Sequence, residues 1–197
     1  MTPKQSQRLI KKIADIKRAL AAEKRKFGGY DDSRGLRYLP TRYYLQLADY
    51  KGGLAYTRWF AKTFPDDIGF PDFLFEWAVL LFKSGKFDQA KAKIWQTFCA
   101  NTYVLDKFVG HPIHPIQKYE WSNLAQAGFT AYFTYSHQQT EWLDFSQWLE
   151  EFIASELFAT RKARYLTIHQ QLLVEDDQEI RDYLRKEADQ LENAIKF

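Results

Sequence analysis

The stretch LFEWAVLLFKSGKFDQAKAKIWQTF, Leu74–Phe98, decides how the chain is read. Leu74, Trp77, Ala78 and Leu81 recur at three- and four-residue spacing, a large–large–small–large face of one helix. Ser84-Gly85-Lys86 interrupts that pattern, and Gly85 permits the tight turn that a side chain would oppose. Ala90, Ile94 and Phe98 then repeat the spacing on a second helix, with Asp88 near its start. Two antiparallel helices that cross closely need a small residue at the crossing, and Ala78 and Ala90 suit it.

Working outward, helix candidates alternate with breakers. Upstream, Leu54–Phe64 stops at Pro65-Asp66-Asp67, and Thr41–Asp49 is short, aromatic and closed by Tyr50-Lys51-Gly52-Gly53. Residues 28–40 read as a loop. Residues 5–26 read as a helix with Leu9, Ile13, Ile16 and Leu20 on one face, ended by Gly28-Gly29. Downstream, residues 100–116 hold Gly110, Pro112 and Pro115 and read as loop. Helices are expected near Tyr119–Tyr135, over Glu141–Phe158 and over Arg161–Val174. Asp176 or Asp177 is expected to cap a last helix bearing Ile180, Leu184, Ala188, Leu191 and Ile195. Sustained period-two alternation is absent. The expectation is an all-α fold.

Leu74-x2-Trp77-Ala78-x2-Leu81 followed by Ala90-x3-Ile94 resembles the tetratricopeptide repeat, whose pattern is W-x2-L-G-x2-Y, then A-x3-F, then P. Thr102 stands in place of the closing proline. A second copy upstream is carried by Gly52 or Gly53, Ala55, Trp59 and Pro65, and Ala55 lies 35 residues before Ala90, close to the family period of about 34. Arg42 and Tyr43 depart from the first-helix pattern of that copy. Trp121-x2-Leu124-Ala125 matches half a repeat, but His137 occupies the alanine position of its second half. The resemblance covers about residues 38–100. It implies α-hairpins of tetratricopeptide-like type, packed with further C-terminal helices (116–197) into one compact domain over 31–197, preceded by a basic amphipathic helix over 1–30. An ordinary helical bundle with two α-hairpins is the alternative. The resemblance further implies a partner-binding groove lined by Phe75, Val79 and Phe82, with Pro40, Tyr44 and Leu47 upstream. These positions are mainly apolar and so lack the Lys, Arg and Asn clamp of one known groove type. Such a groove must be covered, by the chain's own helices or by a partner.

Composition narrows the classes. Hydrophobic residues at 46% and aromatics at 17% of 197 residues supply a core that a disordered chain lacks. No apolar run approaches the roughly 18 residues of a membrane span. The polar, basic start reads as no signal peptide, and a lone Cys99 fits a reducing cytoplasm. Residues 1–30 carry nine Lys and Arg against Asp15 and Glu23, a charge of +7, while the other 167 residues carry 19 basic and 23 acidic, a charge of −4. The basic character therefore belongs to one helix. That helix is expected to dock through Leu9, Ile13, Ile16 and Leu20, to meet an acidic partner or the acidic C-terminal helix, or to grip nucleic acid with a steep salt dependence.

Little in the sequence assembles chemistry. His111 and His114 flank a Pro-rich loop at a spacing that a metal could share, though a structural loop is the ordinary reading. The carboxylate pairs Asp66-Asp67, Glu150-Glu151 and Asp176-Asp177 read as caps or solvated faces. Six tryptophans, at 59, 77, 95, 121, 142 and 148, fall mostly on apolar faces. Tyr38, Tyr43, Tyr44 and Tyr50 mix with Arg34, Arg37 and Arg42, a combination found at protein interfaces and in single-strand binding. There is no phosphate-binding glycine loop, no nucleophile motif and no cofactor signature. The expectation is a non-catalytic protein-interaction or assembly module using an apolar and aromatic helical surface, with Tyr44, Leu47, Phe75, Val79 and Phe82 as candidate contacts. A nucleic-acid-binding accessory protein, or an enzyme without a legible motif, is the alternative.

Overall fold

The computed structural model describes residues 1–30 and 32–193. Within them the chain is all-α, with nine α-helices, several short 3₁₀ turns and no strand. No helix among the described residues is long and apolar enough to cross a membrane. Contacts group the chain into two units, Met1–Lys86 and Phe87–Phe197. The division falls in the turn of the repeat-like stretch, so its two helices belong to different units.

The N-terminal unit holds α1 (Pro3–Phe27), α2 (Leu39–Gln46), α3 (Tyr50–Thr63) and α4 (Pro71–Lys83). Thr2 and Gln5 start α1 with a reciprocal capping box, Pro3 supplying a pre-set first turn. Gly28 ends it at φ +72°, donating its N–H to the Lys24 carbonyl at 3.0 Å. Ile13, Ile16 and Leu20 are buried and Leu9 is half-buried, as the helical spacing requires. α2, α3 and α4 pack mutually, and α1 rests on α2. Gly53 allows α3 and α4 to approach, since a β-carbon there would stand 2.5 Å from Leu80 Cδ2. The core between these helices is aromatic: Phe60 lies 4.6 Å from Phe73, which meets Trp77 and Tyr38. Asp32 fixes the segment between α1 and α2. Its carboxylate accepts the backbone N–H of Leu36 and of Arg37, both at 2.7 Å, and pairs with the Arg37 guanidinium.

The C-terminal unit holds α5 (Phe87–Ala100), α6 (Val104–Val109), α7 (Leu143–Ile153), α8 (Glu156–Val174) and α9 (Gln178–Glu192). α8 and α9 pair, and α9 also meets α5. Asp177 caps α9 by accepting from the Glu179 and Ile180 N–H groups. Its apolar face buries Leu184 and Ala188, while Ile195 lies outside the described residues. Trp95 is central. It packs on Phe98, Phe158 and Tyr165 at 5.3–6.0 Å and donates its indole N–H to the Leu191 carbonyl at 2.7 Å.

Three expectations about elements need correction. Tyr119–Tyr135 is not one helix: Asn123–Ala125 and Ala127–Ala131 are separate 3₁₀ turns. The fully buried Asn101 explains this, because its amide donates to the Leu124 and Gln126 carbonyls at 2.6 and 3.0 Å, acceptors a continuous helix would use internally. Val104–Val109, expected as loop, is a short helix ended by Gly110 at φ +81°. Glu141–Phe158 is broken at Ala154-Ser155, where the Ser155 hydroxyl accepts the Phe158 N–H and begins α8.

The irregular 110–135 segment is pinned by buried side chains. His169 Nδ1 lies 3.1 Å from the Tyr119 carbonyl, and Tyr119 N–H returns to the His169 carbonyl at 2.8 Å. Burial lowers the His169 pKa, so the ring is neutral and carries its proton on Nδ1 to donate there. The end of α9 is pH-sensitive. Burial raises the Glu192 pKa from 4.5 to about 7, against the attraction of Lys93, whose own pKa burial lowers to about 8. A raised carboxyl pKa means stability present below pH 4.5 is lost as pH climbs towards 7. Glu192→Gln removes that loss. Its advantage over the wild type is expected to grow between pH 5 and 8, to roughly 2 kcal/mol. Denaturation at the two pH values checks this, and a pH-independent difference would contradict it.

Candidate functional site

A cleft of about 660 Å³ opens on the N-terminal unit between α1 and α3. α1 contributes Lys17, Ala21, Lys24 and Arg25; α3 contributes Ala55, Tyr56 and Trp59; Tyr30 closes one end. On α1 the spacing Lys17, Ala21, Lys24 places these residues on one face, turned from the Ile13–Ile16–Leu20 stripe that docks the helix. The alanines leave the width. Gly28 and Gly29 turn the chain and Asp32 anchors the Leu36–Arg37 backbone beyond it, which brings Tyr30 against Trp59 and Phe64 with ring centres 6.3 and 4.8 Å away. Tyr56 lies beneath, 5.2 Å from Trp59.

The cleft has an aromatic interior and a cationic rim, and among the described residues none that lines it is acidic. Lys17 Nζ donates to the Tyr44 hydroxyl at 2.8 Å and lies over the Tyr44 and Tyr56 rings. Lys24 Nζ stands 5.6 Å from the centre of the Tyr30 ring. Such placements stabilise an ammonium by about 0.5–1 kcal/mol where exposed, and they orient it without neutralising it. Behind the cleft, Tyr56 donates its hydroxyl to the Arg37 carbonyl at 2.6 Å. Burial, then the nearby Asp32 charge, push its pKa far up, so it stays a neutral donor. Tyr38, hydrogen-bonded to Asp67 at 2.8 Å, is pushed up to about 12 by burial and by that carboxylate. For Arg37, burial opposes its charge, but the Asp67 hydrogen bond and the surrounding charges outweigh it and raise the pKa.

The residues expected to contact a partner sit elsewhere. Phe75 and Val79 have 0% of their surface exposed and Tyr44 is buried, while Leu47 and Phe82 are half-buried. They lie on α2 and α4, which pack on each other, or just beyond the end of α2 in the case of Leu47. In this conformation Phe75 and Val79 have no area left to offer. Tyr44 alone reaches the cleft, through Lys17. The tyrosine–arginine patch also resolves into internal chemistry: Arg37 pairs with Asp32 and Asp67, and Arg42 with Asp72 and Glu76. Ala21, Tyr30, Ala55, Tyr56 and Trp59 escaped sequence reading as one site. The available signal was the second face of α1, together with Ala55 and Trp59 one turn apart on α3.

The remaining sequence candidates are dispersed. Burial pushes the Cys99 thiol pKa well up. His111 Nδ1 stands 3.6 Å from Asp106 Oδ1, and His114 is exposed. Among the described residues no group of three His, Cys, Asp or Glu is arranged to hold a metal ion. No family model, no curated protein and no solved structure matches the chain.

Proposed function

We propose that the protein is a non-catalytic binding module that takes an acidic, aromatic-bearing segment of a partner protein into the α1–α3 cleft. One observation carries the reading: Lys17, Lys24 and Arg25 rim an apolar trough of Tyr30, Tyr56 and Trp59, with no acidic residue among the described residues that line it. Tyr, Trp and Arg are the side chains that dominate protein interfaces. A large apolar side chain entering the trough contributes about 1.5–3 kcal/mol, and carboxylates beside it meet the cations of the rim. The cost of association leaves an affinity on the order of micromolar.

The same residue types serve single-stranded nucleic acid, which stacks successive bases on open ring faces. Here Lys24 lies over Tyr30 and Tyr56 is buried. Trp59, half-buried, remains, so the ring geometry favours a side chain inserted into a trough over a row of stacked bases.

Fluorescence anisotropy with a labelled random copolymer of glutamate and tyrosine tests the reading, with polyglutamate and oligothymidylate as comparisons. The copolymer is expected to bind most tightly. Trp59→Ala, and separately the pair Lys24→Glu and Arg25→Glu, should each weaken it about tenfold or more. Equal binding by wild type and variants, or tighter binding of oligothymidylate, contradicts the reading.

A further inference from the structure

A second, smaller cleft lies wholly within the C-terminal unit, where α5 leads into α6 and α7 leads into α8, and encloses about 360 Å³. That is within the range of pockets that hold small molecules. Its floor is apolar, made by Phe98, Leu105 and Phe158, all nearly fully buried. Its walls carry charges of both signs. Glu150 stands on the last turn of α7 and Lys162 on the second turn of α8.

These two charges border one cavity, yet they form no ion pair with each other. Among the described residues neither makes a side-chain hydrogen bond or salt bridge. Lys162 Nζ is instead held 5.8 Å from the centre of the Phe98 ring, above the floor. Glu150 is exposed at the rim and Lys162 is half-buried, so a ligand that reaches both meets an opposite charge at each end beside an apolar floor, where the attraction is stronger than in open water. The C-terminal end of α7, at Ile153 and Ala154, also lines the cleft and adds negative potential on the Glu150 side. On another wall Asp106 Oδ1 stands 3.6 Å from His111 Nδ1. The cleft thus presents an acceptor end, a donor end and an apolar floor between them.

We propose that this cleft binds a small zwitterion with an apolar body, the chemical class of free aliphatic and aromatic α-amino acids. The ligand ammonium meets Glu150 and the end of α7. Its carboxylate meets Lys162. Its side chain lies on Phe98, Leu105 and Phe158. The ligand bridges two charges that the protein holds apart, and a molecule with one charge satisfies one end and leaves the other as it was. The proposal is independent of the α1–α3 cleft, which shares none of these residues.

Isothermal titration of the full chain tests it. The probes are L-phenylalanine and L-leucine, with 3-phenylpropionate lacking the ammonium and phenethylamine lacking the carboxylate. One or both amino acids should bind with Kd of about 0.1–1 mM, a weak but specific affinity for a ligand of this size. Either single-charge analogue should bind about tenfold more weakly or worse. Lys162→Met keeps the aliphatic stem over Phe98 and removes the charge; Glu150→Gln keeps shape and removes the other. Each should weaken amino-acid binding about tenfold while the far-UV spectrum and melting temperature stay at wild-type values, and Trp59→Ala should leave it unchanged. No binding of either amino acid at about 10 mM overturns the proposal. So does binding of the analogues as tight as that of phenylalanine, or wild-type affinity in both charge variants.

Discussion

Arg42→Met is expected to lower the stability of the N-terminal unit by about 3 kcal/mol, an effect set by the partner it leaves behind. Glu76 projects from α4 into the packed interior with 1% of its surface exposed. Its carboxylate accepts the Thr41 hydroxyl and the Arg42 Nε–H at 3.0 Å, and the same guanidinium reaches Asp72 at 2.8 Å. Arg42 itself is partly exposed, so its own burial contributes little, and methionine preserves most of its aliphatic packing. What the substitution removes is a counter-charge and a hydrogen-bond donor of a carboxylate with 1% of its surface exposed. Adding Glu76→Gln to Arg42→Met should restore much of the loss, because an amide costs far less to bury than a charge. Chemical denaturation of the single and double variants checks both points. A single variant within about 0.5 kcal/mol of wild type would show that Glu76 is neutral or solvated.

The second large effect is expected at Trp95 in the C-terminal unit. Trp95→Ala should cost about 3–5 kcal/mol, the combined loss of a fully buried ring, its packing on Phe98, Phe158 and Tyr165, and the hydrogen bond to the Leu191 carbonyl. Trp95→Phe separates these contributions. It keeps an aromatic body but abandons the carbonyl near the end of α9, and about 1–2 kcal/mol is expected. Amide exchange should localise the difference: the phenylalanine variant should speed exchange chiefly in the last turns of α9, the alanine variant across α5, α8 and α9. Equal cost for the two variants would mean that the hydrogen bond dominates and the packing argument is wrong.

Both effects arise where sequence periodicity is easiest to read. The apolar spacing of Leu74–Phe98 marks α4 and α5, Gly28 and Asp177 mark a helix end and a helix start, and the all-α class rests on their repetition along the chain. Periodicity fails where side chains far away in sequence take over the backbone. Trp121, Leu124 and Ala125 have helical spacing, but Asn101 captures the carbonyls that a helix would need. Ser155 could extend a helix or begin one, and its local hydroxyl bond to Phe158 decides for a new start.

The candidate cleft is half legible for a similar reason. The cationic face of α1 is visible as a run of charge. Its complement is not, because Tyr30 and Trp59 are 29 residues apart and meet through a turn that Asp32 holds from within. The repeat resemblance implies that Phe75, Val79 and Phe82 line an apolar groove that something must cover. Phase alone does not distinguish a face waiting for a partner from a face already packed, and burial places Phe75 and Val79 in the second class. Charge separation in the smaller cleft is invisible for the same reason: Glu150 and Lys162 belong to different helices, and only the break at Ser155 sets them around one cavity.

The α1–α3 cleft is proposed to receive a protein segment. Site-specific photocrosslinking in the cells that make the protein tests it most directly. Benzoylphenylalanine placed at Ala21 or at Ala55 puts the reactive group inside the cleft with little steric penalty, since both alanines line it and are exposed. Both positions are expected to capture the same discrete partner, as an adduct that resists nuclease and is destroyed by protease. Lys24→Glu with Arg25→Glu should abolish that adduct. A nuclease-sensitive adduct, or a protein adduct that persists unchanged in the charge-reversed variant, would contradict it.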